Sequence, residues 1–156
     1  MKRYLEELGL RPDNICAPAT TDRAKKKEDR ESYAVQRAER GFDDRECWDL
    51  DITFLIWLYE HIRGYEEKAN EFIDLDYYKF NIPVLNEETG EEVIAPNITQ
   101  RAALAIIKGY IKDFFFDPLD HGITDVKQLS HYDEMGIKKM KIVAKIWAEI
   151  LPAMWW

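Results

Sequence analysis

The amino-acid sequence predicts a mainly α fold: one compact helical domain of about four helices with a small β-hairpin inserted near residues 79–94. Three observations predict it. Apolar residues recur at helical spacing through four long segments, that period fails between residues 78 and 95, and no segment repeats. A chain of 156 residues, 46% hydrophobic, suits a single domain and excludes a wholly disordered one. The expected layout is an N-terminal helix and loop over 1–20, a polar helical arm over 21–40, and a helical core over 42–156.

Each element has a local reason. Tyr4-Leu5-Glu6-Glu7-Leu8 is a short amphipathic turn stopped by Gly9, and Pro12 and Pro18 bracket a loop. Thr21 would cap a helix that runs to Arg40 and ends at Gly41. Its apolar face is thin (Ala24, Tyr33, Ala34, Val35, Ala38), which suits a surface arm or a segment ordered by a partner. Asp49 would cap the next helix, about 50–70, with Asp51 at the positive end of its dipole. Leu50, Phe54, Leu55, Trp57, Leu58, Ile62 and Tyr65 surround that helix, so it is expected to be buried on most sides.

Phe80–Val84 and Glu92–Ile94, joined through Thr89-Gly90, read as the hairpin, with Pro83 marking an edge strand and Pro96-Asn97 closing the excursion. Thr99 would cap a helix to about Phe116, with Ala103, Ile107, Ile111 and Phe114/Phe115 on one face and Arg101, Lys108 and Lys112 on the other. Asp117-Pro118 ends it. The last helix is expected over about 135–152, with Met140, Ala144, Trp147 and Leu151 inward and Lys138, Lys141 and Lys145 outward.

Charge narrows the function classes. The chain carries 22 Lys plus Arg against 30 Asp plus Glu, a net charge of −8, and its pI is about 5.0. A general nucleic-acid binder would show a basic footprint, so that class is disfavoured. Nine acids and two lysines fall between Glu66 and Ala95, whereas Lys138 to Lys145 holds four lysines and no acid. Such complementary segments would allow self-association. The longest apolar stretch, Ile52 to Tyr59, is far short of the roughly 20 residues that span a bilayer, so no membrane association is expected. The first residues, MKRYLEELGLRPD, contain no apolar core of a secretion signal. Cys16 and Cys47 are too few for a disulfide framework, which suits a reduced, cytoplasmic protein.

The densest chemical constellation is Glu39 to Asp51. Arg40 and Arg45 offer planar grips for phosphate or carboxylate, Trp48 offers a stacking face, and Asp43, Asp44 and Asp51 surround a helix start. This turn would recognise a nucleotide-like ligand. The same residues also suit a purely architectural role, with the aspartates as caps, the arginines clasping them and Trp48 in the core. Lys138, Lys141 and Lys145 would face phosphate or an acidic partner, and Ile142 within that face, with Trp155 and Trp156, would form an oligomer interface. His61, His121 and His131 stand alone, without metal-ligand spacing, and neither a metal nor a cofactor is expected.

Two resemblances add to this. Glu28-x-x-Glu31 and Glu46-x-x-Asp49, fourteen residues apart, resemble the paired acidic motif of all-α nucleoside triphosphate pyrophosphohydrolases of the MazG and dimeric dUTPase type. That likeness implies four carboxylates holding Mg²⁺ on a pyrophosphate. The run Gly41-Phe42-Asp43-Asp44-Arg45-Glu46-Cys47-Trp48-Asp49-Leu50-Asp51, ahead of an apolar helix, resembles a family of small, uncharacterised proteins of tailed bacteriophages. It implies a setting in the cytoplasm of an infected host cell. In that setting the expectation is a homo-oligomeric protein that counters host defence by sequestering a nucleotide-derived signal without catalysis. The alternatives are a protein-binding inhibitor of a host nuclease or defence complex, of anti-CRISPR type, and the pyrophosphohydrolase.

Overall fold

Four α-helices and one two-stranded antiparallel sheet account for most of the residues that the computed structural model describes, which are 5–8, 27–41, 43, 44, 47, 50–119 and 121–154. The protein is mainly α with a small β-hairpin, and it divides into two compact units, Met1–His61 and Ile62–Trp156.

In the first unit a 3-10 turn, Leu5–Leu8, precedes α1, Lys27–Arg40. Good helix formers populate α1, and Gly41 ends it: at φ +83° its N–H donates to the Arg37 carbonyl at 3.0 Å. Val35, Ala34 and Ala38 are exposed, as befits the thin apolar face; the expected cap Thr21 lies outside the described residues. Helix α2 spans Leu50–Ala69. Leu55, Ile56, Leu58, Tyr59 and Ile62 are buried. The Tyr59 hydroxyl donates to Glu7 Oε2 at 2.6 Å, tying α2 to the first turn.

The expectation that α2 is buried on most sides is corrected. Leu50, Phe54 and Trp57 are exposed. At about 100° per residue, the set 55, 58, 59 and 62, with Ile56 beside it, covers a broad buried face, and the set 50, 54 and 57 forms an exposed stripe centred about 120° from the first four.

In the second unit, β1 (Lys79–Leu85) pairs with β2 (Glu92–Thr99). Asn86 organises the turn: its side-chain oxygen accepts from the N–H groups of Glu88 and Thr89, and Gly90 takes φ +68°. β2 does not stop at Pro96-Asn97 as the sequence pattern suggested. Phe80 pairs with Ile98 and Ile82 with Ala95, so Pro96 and Asn97 together face Asn81 in a bulge. Asn97 takes φ +57°, and its N–H donates to Asn81 Oδ1 at 3.2 Å. The bulge absorbs the proline and lets pairing resume.

Thr99 caps α3 (Gln100–Phe115), accepting from the Ala102 N–H at 3.3 Å. Ala103, Leu104, Ile107 and Ile111 are buried, matching the expected stripe. Helix α4 runs Val126–Ile150, from a start nine residues earlier than expected, because Asp125 caps it by accepting from the Gln128 N–H at 3.0 Å. A 3-10 turn, Leu151–Ala153, follows. α4 packs on α3 and β1.

The inward face of α4 is also corrected. Ile142, Val143, Ile146 and Ile150 are buried, whereas Ala144 and Leu151 are exposed. Ile142, expected on an exposed lysine face, keeps only 2% of its surface accessible. Lys139 sits on the buried stripe one turn before Val143, and its charge masked that stripe in the sequence. Two carboxylates neutralise it in the fold.

Candidate functional site

The turn after α1 is closed on itself. Arg40 pairs with Asp44, and its Nη2 also donates to Gln36 Oε1 at 2.8 Å. Gln36 in turn donates from Nε2 to Asp44 Oδ2 at 3.1 Å and accepts the Asp44 N–H at 2.9 Å. Asp43 is fully buried and accepts from Arg37 Nη2 at 2.8 Å. Bonds of this kind are those that the architectural role would use, and they leave the ligand-binding role of the turn a matter for experiment. Asp51 is exposed in the first turn of α2. The side chains of Arg45, Trp48, Glu28, Glu46 and Asp49 lie outside the described residues, as do Trp155 and Trp156; Glu31 is exposed on α1. Among the described residues no group of three or more His, Cys, Asp or Glu could hold a metal ion.

Two of the three lysines expected to face phosphate on α4, Lys138 and Lys145, make ion pairs. Lys138 pairs with Glu134 at 2.8 Å and Lys145 with Glu92 at 2.5 Å, while Lys141 is exposed. On α3, Lys108, expected on the outer face, is part-buried and bonds Glu66 at 2.5 Å. The acidic segment and the basic helices thus complement each other within one chain. That supplies an intramolecular use for the charge pattern that the sequence offered for self-association.

A different place gathers ligand-binding groups. The loop after α3 is pinned by local bonds: the Leu119 N–H donates to Asp117 Oδ1 at 2.8 Å, the Ile123 N–H to the Pro118 carbonyl at 3.0 Å, and Gly122 takes φ +75°. This loop presents Phe116, whose ring stacks on His121 at 4.3 Å and 14° and lies 5.8 Å from the Tyr132 ring. Phe116, His131 and Tyr132 line a cleft of about 380 Å³, and Met135 and Gly136 of α4 complete its apolar part. Open clefts of this volume are in the range of small-molecule sites.

One end of the cleft is polar. Lys139 Nζ lies 2.5 Å from Asp113 Oδ2 and 3.5 Å from Glu87 Oε1, and 5.4 Å from the centre of the Tyr110 ring. Burial lowers the Lys139 pKa, but the hydrogen bond and charge of Asp113, joined by Glu87, outweigh it and hold the pKa above the ordinary lysine value. The Tyr110 hydroxyl meanwhile accepts the Leu85 N–H at 2.9 Å, fixing the ring under the ammonium. A second groove of about 400 Å³, lined by Lys127, Gln128, His131 and Tyr132, shares its last two residues with the cleft.

Together these give a stacking surface, a charged donor between two acceptors, and a neighbouring groove with its own cation. The sequence reading passed over this place, although Phe114-Phe115-Phe116 at a helix end and His131-Tyr132 on the next helix carried the signal. Comparisons with models of protein families, with curated proteins and with solved structures each returned no match. No helix among the described residues is long and apolar enough to cross a membrane.

Proposed function

We propose that the protein binds a small, planar, nucleotide-like ligand in the cleft between α3 and α4 and does no chemistry on it. The observation that carries this reading is the convergence of Phe116, His131 and Tyr132 on the same 380 Å³ cleft as the Lys139–Asp113 pair. A base ring would stack on the aromatic side chains, and its edge would meet one donor and two carboxylate acceptors. The groove holding Lys127 and Gln128 would take the ligand's polar tail. In the infected-cell cytoplasm that the Gly41–Asp51 resemblance implies, the ligand is a nucleotide-derived defence signal, removed from circulation by being held.

A second reading, inhibition of a host defence protein by direct binding, is favoured by one observation. Leu119, on the loop that presents Phe116, and Val126, next to Lys127 of the second groove, are largely exposed, and exposed apolar side chains on the rim of a cleft suit a protein surface. Calorimetric titration with the four ribonucleoside monophosphates separates the two. The ligand reading expects at least one to bind, to be weakened tenfold or more by Tyr132→Ala, and to be recovered chemically intact. Absence of binding by all four, together with capture of a host protein that Leu119→Asp abolishes, would replace it with the second reading.

A further inference from the structure

Helix α2 carries a second feature, independent of the cleft. Leu50, Phe54, Trp57, His61, Gly64 and Lys68 follow one another at alternating spacings of four and three residues, the seam of a two-helix coiled coil. Among the described residues nothing covers it well. Leu50 is 67% exposed, Phe54 38% and Trp57 40%, and His61 and Lys68 are exposed too. The side chains are already ordered: Phe54 stacks on Trp57 at 6.3 Å, Trp57 on His61 at 4.2 Å, and His61 Nδ1 bonds the Trp57 carbonyl at 2.7 Å. A Cβ placed on Gly64 would meet nothing within 4 Å.

We propose that two copies of the chain pair antiparallel along this seam, centred near Tyr59. The seam is complementary to itself in that register. Phe54 faces the partner's Gly64, so the largest side chain of the outer turns meets the only gap. Trp57 faces the partner's His61. Leu50 faces the partner's Lys68, whose stem covers the leucine while its ammonium reaches the adjacent Asp51. A parallel pair would instead set Lys68 against its own copy and leave glycine opposite glycine. The antiparallel register therefore gains an opposite-charge contact and fills the gap, and the parallel one does neither. A second copy is the occupant that this seam specifies.

Sedimentation velocity on the full chain, from 1 to several hundred micromolar, is expected to show a monomer–dimer equilibrium. Gly64→Leu raises helix propensity and its Cβ meets nothing within 4 Å, yet the side chain blocks the place of the partner's Phe54. It is expected to weaken dimerisation at least tenfold with no loss of melting temperature. Orientation is read by crosslinking after Cys16→Ser and Cys47→Ser. The double variant Leu50→Cys/Lys68→Cys should form disulfide-linked dimers. Each single cysteine should not, because like positions lie about 27 Å apart along an antiparallel pair. A strict monomer at every concentration, full dimerisation of Gly64→Leu, or dimers crosslinked through either single cysteine would each overturn the proposal.

Discussion

Lys139 Nζ meets Asp113 Oδ2 at 2.5 Å across two helices, and only 12% of the lysine side chain is exposed against 52% of the aspartate. The buried partner of this pair is the cation. Glu87 from the hairpin turn adds a second carboxylate at 3.5 Å, so three elements converge on one ammonium at the mouth of the cleft. The lysine is charged because of its neighbours and in spite of its burial.

Asp113→Asn should therefore destabilise the protein more than an ordinary surface pair would. An exposed pair contributes at most about 1 kcal/mol, and breaking a fully buried one costs about 3–5 kcal/mol. The half-buried geometry here puts the expected loss at about 1–2 kcal/mol, read by urea unfolding. Lys139→Met, which removes the buried charge itself, should cost less. Since the Lys139 pKa is raised, the pair's stabilisation is fully present below the unfolded lysine pKa of about 10.4 and lost as pH rises through the higher folded value. Unfolding curves should show this loss in alkali.

Asp76 behaves in the opposite sense. The Arg101 hydrogen bond, aided by Thr99, lowers its pKa against a small desolvation effect, with Arg101 Nε 2.9 Å from Asp76 Oδ2. A depressed carboxylate stabilises above its unfolded pKa of about 3.9 and loses that contribution as pH falls through the folded value. Carboxyl-carbon NMR titration should find Asp76 below the usual aspartate range. In Arg101→Met it should move back toward that range.

The two arginines near the first turn should separate cleanly. Arg37 supports the fully buried Asp43, whereas Arg40 and Asp44 are both about half exposed. Arg37→Ala is expected to cost about 3 kcal/mol and Arg40→Ala less than about 1 kcal/mol. Thermal melts of the two variants give the comparison. Equal losses would contradict the division of labour seen at this turn.

Tyr59 is the buried end of the bond that holds Glu7. Tyr59→Phe removes a charge-assisted hydrogen bond of about 1.5–3 kcal/mol and leaves the ring in place. Hydrogen exchange should speed up in Leu5–Leu8 and change little in α3 and α4.

Much of the fold was legible in the sequence because local chemistry settled it. Gly41 stopping α1, Thr99 capping α3 and the Ala103–Ile111 stripe all follow from a few adjacent residues. The misread parts depend on distant ones. The true inward face of α4 is headed by a lysine that only Asp113 and Glu87 make tolerable there. β2 continues past Pro96 only because Asn81 on the other strand takes up the bulge. The cleft was hidden for the same reason, since Phe116 and Tyr132 approach each other only where α3 and α4 pack together. At the Arg40–Asp44 turn the sequence alone leaves two roles open, because arginine, aspartate and glutamine that satisfy one another read the same as ones that hold a phosphate.

The most direct test of the cleft as the binding site is a two-dimensional NMR titration with the ribonucleoside monophosphate that binds best, followed over assigned amides. Saturable shifts are expected to concentrate on Phe116, His131, Tyr132, Gly136 and Lys139, with Gln36, Arg40 and Asp44 unmoved. Saturable shifts at Arg40 and Asp44, with the cleft residues unmoved, would contradict this and return the site to the first turn.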